Sequence, residues 1–352
     1  MTEPSTGPSA EGPDLSLQPK ATMTLAEVEA LAGQALRLAG ASDLQSAPTA
    51  QSLAAAEAEG FRSVGLGTLP YYCLHLRCGK VKGDAQPKVS QTAPSGLLVD
   101  ADNGFAHAAF KAAEAELVTL AKSQGLAALG FTRSYSAGIL RWFVEPLAAE
   151  GLVALCLANA PAAVSAYGAT RPLFGTNPLA YALPRTGRDP LVVDQATSAV
   201  ARFTLAEHAA RGEPVPSGWG RDAEGKESHD AAAILNGGSM SPAGGAKGAN
   251  LALFVEALAV GLTGATWSLE ASSFGDDVGP PPGVGCFILA LDAGLFGQPG
   301  ADRFAALSSL LEAEPGLRLP GERRPALRHA AEREGVTLTA SEIETLEGLL
   351  RS

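Results

Sequence analysis

The sequence predicts an α/β protein of the α+β type, and three features carry that prediction. Helix signals open and close the chain, short apolar runs set between helices begin near residue 97, and 352 residues leave room for two domains of about 150 residues each. Apolar residues make up 46% and charged residues 18%, enough core-forming side chains to exclude a disordered chain or a coiled coil.

Taken in order, the first twenty residues hold Pro, Ser, Gly and acid without an apolar run, which predicts a polar tail over 1–22 and no secretory signal. Thr24 and Glu27 have capping-box spacing, Leu25, Val28, Leu31, Ala35 and Leu36 share one helical face, and Gly40 supplies the stop. An Ala-rich helix over 50–59 closes at Gly60. Residues 61–73 then break the helical period with Gly65, Gly67 and Pro70, glycines that let backbone approach a ligand closely. A strand over 97–100, a helix over 105–122 and strands over 126–131, 152–158, 179–183 and 191–194 follow from run length. The Gly-, Pro- and acid-rich residues 211–241 read as a long surface excursion. The turn GGAKG at 244–248 opens a buried helix whose apolar run, about twelve residues interrupted by Glu256, is too short to cross a bilayer. A strand over 284–292 and helices near 301–313 and 341–350 complete the chain, the last with Ser341 and Glu344 as its capping pair.

Lys and Arg total 26 against 37 Asp and Glu, a formal charge of −11 that opposes binding to nucleic acid or an anionic membrane. Cys73, Cys78, Cys156 and Cys286 lack zinc-site spacing and are expected as reduced structural thiols in a cytoplasmic protein without a metal site. Only five histidines, at 75, 107, 208, 229 and 329, are available for acid–base work. A Rossmann fingerprint is missing: Gly65 and Gly67 follow helix-like sequence, and Pro70 stands where the third glycine belongs.

Chemistry-bearing segments lie elsewhere. They are LFGTNPLAYALP at 173–184, LVVDQATSAVAR at 191–202, GGAKG at 244–248 and RLPGERR at 318–324. Together with RSVGLGTLPYYCLHLRCGKV at 62–81, in this order and spacing, they closely resemble the type-2 malate/L-lactate dehydrogenase family over about residues 24–350. These NAD(P)H-dependent oxidoreductases include Δ1-pyrroline-2-carboxylate and Δ1-piperideine-2-carboxylate reductases. The resemblance implies a non-Rossmann NAD(P)-binding fold and a homodimer. It divides the chain into a helical, substrate-side and dimerisation domain from both ends (23–96 and 301–352) and a sheet-rich cofactor domain (97–300). It places Asp194, Gln195 and Ala196 of the D-x-A-T-S motif and the loop Ser136, Ala137, Gly138, Ile139 and Leu140 against the dinucleotide. Lys247 and the turn holding Arg318, Gly321, Arg323 and Arg324 would meet phosphate groups. Independently, glycines let N–H groups crowd an anion, and three arginines offer charge-assisted forks for a 2′-phosphate, which favours NADPH over NADH.

The catalytic side departs from the family pattern. Where the family reads Ser-His-Gly, with an Arg four residues after the His for the substrate carboxylate, this chain has Ser63-Val64-Gly65 and then Thr68. Val64 has no proton to give, Thr68 no charge, and the family's relay acid falls on Thr204. Ser63 and Thr176 remain as matched polar groups, with His208 as a substitute acid and Arg62 or Tyr135 as further substitutes. A ketone needs an acid or oxyanion donor as hydride arrives, whereas an imine nitrogen can take its proton from solution first. The expectation is therefore reduction of a small cyclic 2-imino carboxylate, ahead of a 2-keto acid; the alternative is a catalytically degenerate member that binds dinucleotide or metabolite without turnover.

Overall fold

The computed structural model describes residues 22–351, so the tail read over 1–22 lies outside the described residues except for Thr22. That residue opens β1 (Thr22–Met23), which pairs antiparallel with β13 (Val336–Thr337) and ties the two ends of the described chain together. Three helices follow: α1 (Leu25–Leu38), α2 (Asp43–Ala58) and α3 (Leu69–Cys78), the last preceded by a 3₁₀ turn at Leu66–Thr68. The Thr24–Glu27 capping box is present at α1. Helix α2 begins seven residues before the sequence-read start at Ala50 and carries Pro48 in its interior.

The large sheet has seven strands in the order β2-β3-β4-β12-β5-β8-β9. They are β2 (Lys88–Ala93), β3 (Gly96–Asp100), β4 (Leu126–Ser134), β5 (Leu152–Ala158), β8 (Leu179–Arg185), β9 (Arg188–Gln195) and β12 (Val284–Asp292). Only β3 and β4 run parallel, as their connection through α4 (Ala106–Gln124) requires. Helices α4 and α5 (Arg141–Ala149) cover one face, where Phe110, Leu117, Phe131, Phe143 and Ile288 are buried. The other face buries Leu157 and Leu179 under α8 (Ala246–Glu256), which runs on into a π turn at Ala257–Gly261.

Residues 211–241 are not a plain excursion. They follow α6 (Arg202–Arg211) with β10 (Gly220–Arg221), α7 (Ala231–Leu235) and β11 (Ser239–Met240), and join β6 (Val164–Ser165) and β7 (Pro172–Phe174) in a four-stranded sheet. Leu205, Val215, Ile234 and Met240 give it a core that polar composition concealed. The chain ends with α9 (Gly300–Glu312), α10 (Arg323–Glu334) and α11 (Ala340–Arg351). Helix α11 is capped by Thr339, whose hydroxyl accepts from the Glu342 N–H while the Glu342 carboxylate takes the Thr339 N–H at 2.7 Å. The sequence-read pair Ser341 and Glu344 lies two residues further on, inside that helix. Val28, Leu31, Leu53 and Leu69 of α1–α3 share one core with Ile343 and Leu346 of α11. Among the described residues no helix is long and apolar enough to cross a membrane.

Gly285 fixes the distance between β12 and the π turn: a Cβ there would lie 1.9 Å from the Ala259 carbonyl oxygen. Gly285→Ala should cost about 2 kcal/mol or more, seen as a lower urea midpoint with an unchanged slope. Gly348→Ala in α11, where a Cβ meets nothing within 4 Å, should instead stabilise by roughly 0.5 kcal/mol.

Candidate active site

A cavity of about 480 Å³ opens where β9, the end of α2 and the turn before α10 meet. Asp194 and Gln195 form one wall, Glu59 to Phe61 a second, and Arg318 to Gly321 with Arg323 and Arg324 a third. Segments far apart in sequence converge because the RLPG turn is pressed onto β9. Gly321 has φ +79°, and a Cβ on it would sit 2.2 Å from the Val192 carbonyl oxygen, so both conformation and space demand glycine.

Beneath the cavity lies a network of buried charge. Arg141, 1% exposed, pairs with Glu59 at 2.7 Å and with Glu145; Arg328 approaches Glu145 at 3.4 Å and Glu59 at 3.9 Å. Burial pushes Glu59 up to about 7, against the pull of Arg141, Arg328 and Arg324. The Asp194 carboxylate accepts the Arg141 N–H at 3.0 Å and that of Leu140; burial raises its pKa, while these donors and Arg324 oppose the rise. Arg324 stacks on Phe61, 4.2 Å from the ring centroid, and burial lowers its pKa.

The loop Ser136 to Leu140 is thus joined to Asp194 through Leu140. Gly138 has φ +61°, and a Cβ on it would lie 3.6 Å from the Tyr72 hydroxyl and 3.7 Å from His107 Nε2. Ser136 Oγ accepts the Gly138 N–H at 3.3 Å and lies 3.5 Å from the Tyr72 hydroxyl. Ile139 and Leu140 are buried, Ala137 half-buried. Ala196 is half-buried next to Gln195 but does not line the cavity, and Lys247 stands exposed in the first turn of α8, also outside it.

The loop Ser63 to Thr68 rests on a carboxyl absent from the sequence reading. Glu57 of α2 is buried under Gly65, its Oε1 taking the Leu66 N–H at 2.7 Å while Oε2 has no partner, and burial pushes it up to about 7. Above it Ser63 and Val64 are half-buried and Thr68 is buried at the start of α3. Thr176 lies in the loop before β8, its carbonyl accepting both the N–H and the hydroxyl of Thr197 at 2.9 Å, and does not line the cavity. Thr204 lies within α6, half-buried.

The substitute groups are drawn elsewhere. Arg62 pairs with Glu342 at 3.0 Å, which fixes it between the loop Ser63 to Thr68 and α11. Tyr135 is buried with its hydroxyl on His75 Nδ1, and the His75 Nε2 faces the Asp276 carbonyl at 2.8 Å. His208 packs edge-on against Trp219, 3.7 Å from Glu213, and does not line the cavity. His107 is fully buried against Trp142 and Phe143, and burial depresses it to about 3, so it is neutral at pH 7. All four cysteines are free, Cys156 and Cys286 lying 3.4 Å apart on neighbouring strands.

Comparison with known proteins adds a decisive observation: the profile of the malate/L-lactate dehydrogenase family matches residues 23–347. The chain belongs to this family. It is an oxidoreductase, as the family's description states. Among its curated relatives are the (2R)-3-sulfolactate dehydrogenase (NADP(+)) of Chromohalobacter salexigens, 44% identical over 87% of this chain and 91% of that one. The Δ1-pyrroline-2-carboxylate/Δ1-piperideine-2-carboxylate reductase of Pseudomonas putida is 39% identical over 92% and 95%. The solved Δ1-piperideine-2-carboxylate reductase of Pseudomonas syringae superposes with a TM-score of 0.89 at 35% identity, covering 94% of this chain and 99% of that one. The malate/L-lactate dehydrogenase fold therefore extends over nearly all of the described chain.

Because the folded pKa of Glu57, about 7, exceeds its ordinary 4.5, ionising it costs stability. The cost is absent below pH 4.5, grows as pH rises towards 7 and is constant above. Glu57→Gln should therefore gain roughly 2–3 kcal/mol relative to the parent between pH 4.5 and 8, measured by urea unfolding at each pH.

Proposed function

We propose that this oxidoreductase reduces a small cyclic 2-imino carboxylate, of the Δ1-pyrroline- or Δ1-piperideine-2-carboxylate kind, with NADPH as its preferred coenzyme and NADH as the weaker one. The observation that carries the proposal is the pairing of a cavity rich in arginine with a reacting loop that has no acid. At the cavity, Arg318 and Arg323 make neither ion pair nor hydrogen bond among the described residues, and Arg324 contacts a ring, so three cations are available to phosphate oxygens. The residues fit a phosphorylated dinucleotide, with Gly321 bringing backbone to the cavity wall and the Asp194 carboxylate and Gln195 as partners for hydroxyls. The loop Ser136 to Leu140, anchored on Asp194, and Ala196 would border the same molecule; Lys247 would reach it only from the rim of α8.

When bound, the reduced nicotinamide supplies the hydride that adds to the carbon of C=N. The chain holds the imine in place and keeps water from it; Ser63 and Thr176 offer hydroxyls for orientation. Val64 cannot donate a proton, so the imine nitrogen takes its proton from solution before the hydride arrives, and no protein acid is needed at that atom. His208 has no part in this step, since Trp219 and Glu213 hold it.

Reduction of a 2-keto acid is the second reading, favoured by the 44% identity to a sulfolactate dehydrogenase. We further propose a homodimer, supported by the exposed Leu253, Phe254, Leu262 and Leu269 along and after α8, a helical unit on the substrate side, and a cytoplasmic setting that suits four free thiols.

With NADPH, kcat/KM for Δ1-pyrroline-2-carboxylate should exceed that for pyruvate or sulfopyruvate at least about 10-fold; a preference for a keto acid overturns the imine reading, and NADPH binding without oxidation of any substrate returns the degenerate one. Val64→His combined with Thr68→Arg and Thr204→Asp should raise keto-acid reduction about 10²-fold, measured as kcat. Arg323→Ala should raise the KM for NADPH about 10-fold and that for NADH far less, in steady-state titrations of the two coenzymes.

A further inference from the structure

A second cavity, of about 230 Å³, shares no lining residue with the first and opens where the hairpin joining β8 to β9 meets the end of α5 and the start of α9. Ala148, Pro184 and Pro190 give it apolar walls, and its polar side chains are Arg185, Thr186 and Arg188. No carboxylate lines it, although the chain as a whole carries a formal charge of −11.

Arg185 and Arg188 are register partners at the closed end of the hairpin, where Gly187 makes the turn at φ +70°. Like charges opposite one another on a sheet repel unless anions offset them. For Arg188 the offset is built in, since its guanidinium holds both oxygens of Glu312 at 2.6 and 3.0 Å. Arg185 forms no ion pair among the described residues. Its Nε donates to the Asp189 carbonyl at 2.8 Å, its Nη2 makes no hydrogen bond, and its Nη1 is buried without an acceptor. A buried donor left unmade is costly, more so on a cation, and calls for an acceptor from outside the chain. Burial lowers the pKa of Arg185 and the Arg188 charge adds to this, while Glu312, Glu322 and Asp189 oppose without reaching ion-pair distance. Thr186 does not fill the gap: its hydroxyl donates to the Asp302 carboxylate at 2.6 Å, and its N–H faces the Ala301 carbonyl at 3.4 Å.

We infer that this cavity is a binding site for a small oxyanion, a phosphate or a carboxylate, with Arg185 as the cation that holds it. The site is separate from the coenzyme cavity and does not depend on the reaction proposed above. An anion here supplies the acceptor that Arg185 lacks and offsets the repulsion between the two arginines, and the guanidinium fork matches two oxygens of either group. The volume lies below the range of drug-sized ligands, so the occupant is a single ion or a short-chain acid. The alanine and proline walls suit the apolar part of such an acid, whereas a phosphate uses the guanidinium alone.

Isothermal titration of phosphate and of propionate into the full-length protein, in chloride buffer, tests the site. The parent is compared with Arg185→Met and with Arg185→Gln, which keeps two N–H donors without the charge and serves if the Met variant fails to fold. A double variant of the coenzyme cavity, Arg318→Ala with Arg323→Ala, separates the two sites. At least one anion should bind the parent with a Kd of about 1 mM or tighter, about 10-fold or more weakly to either Arg185 variant, and within about twofold of the parent to the double variant. Without anion, the Tm of Arg185→Gln should stay within about 3 °C of the parent, the sign of an intact fold. An Arg185-dependent response to phosphate alone assigns a phosphoryl ligand, one to propionate alone a carboxylic acid, and one to both a site for either group. If neither anion binds the parent, if the Arg185 variants bind as the parent does, or if only the double variant loses binding, the inference is overturned.

Discussion

The guanidinium of Arg141, withdrawn from water between the sheet and the helical core, is the interaction on which the site depends. Its partner Glu59 ends α2, its own helix α5 begins at the loop Ser136 to Leu140, and its backbone N–H holds Asp194 at the end of β9. A buried pair of this kind adds little net stability, because desolvation consumes most of the Coulomb gain, but it tolerates few alternative arrangements. Helical core, loop and sheet are therefore fixed relative to one another by electrostatic satisfaction. Arg328 extends the same logic to α10, so the turn carrying Arg318 and Gly321 is secured at its helical end by Glu145 and Glu59 and at its tip by close contact with Val192.

Much of this architecture was legible from local sequence. The strands at Leu152–Ala158 and Val284–Asp292 coincide with the apolar runs because both are inner strands of the sheet. Elements that failed to announce themselves have physical reasons. Strand β2 is a polar edge with almost no buried residue, and α5 is nine residues long with Pro146 inside it. Helix α3 begins within a stretch whose glycines and proline read as a break, yet Pro70 sits in its first turn, where no N–H is missed. The capping pair of α11 lies two residues before the one read because two Ser/Thr-x-x-Glu spacings overlap at 339–344, and only three-dimensional context selects Thr339.

The site divides in the same way. Asp194, Gln195, Gly321 and the arginines of the RLPGERR segment were found by motif, and the structure brings them to one cavity. Arg141, Glu59 and Glu57 carried no signal, since a buried charge is recognised only by a partner distant in sequence. Arg62 shows the same effect: a cation beside Ser63 in sequence pairs with Glu342 in space. Glu57 holds the Leu66 N–H beneath Gly65, so the backbone beside Val64 is fixed from below by a buried carboxyl.

The pairing of β1 with β13 has a consequence for biosynthesis. The core shared by α1, α2, α3 and α11 is assembled from segments made before and after the strands of the large sheet, which emerge between them. The sheet can close while the chain is still attached to the ribosome, whereas α1–α3 must wait, partly uncovered, until α11 is released. The cavity is completed only then, because its arginine wall immediately precedes and enters α10. Completion of the cavity thus follows closure of the sheet, and a chain cut before Arg318 would own a finished sheet without the cavity's arginine wall.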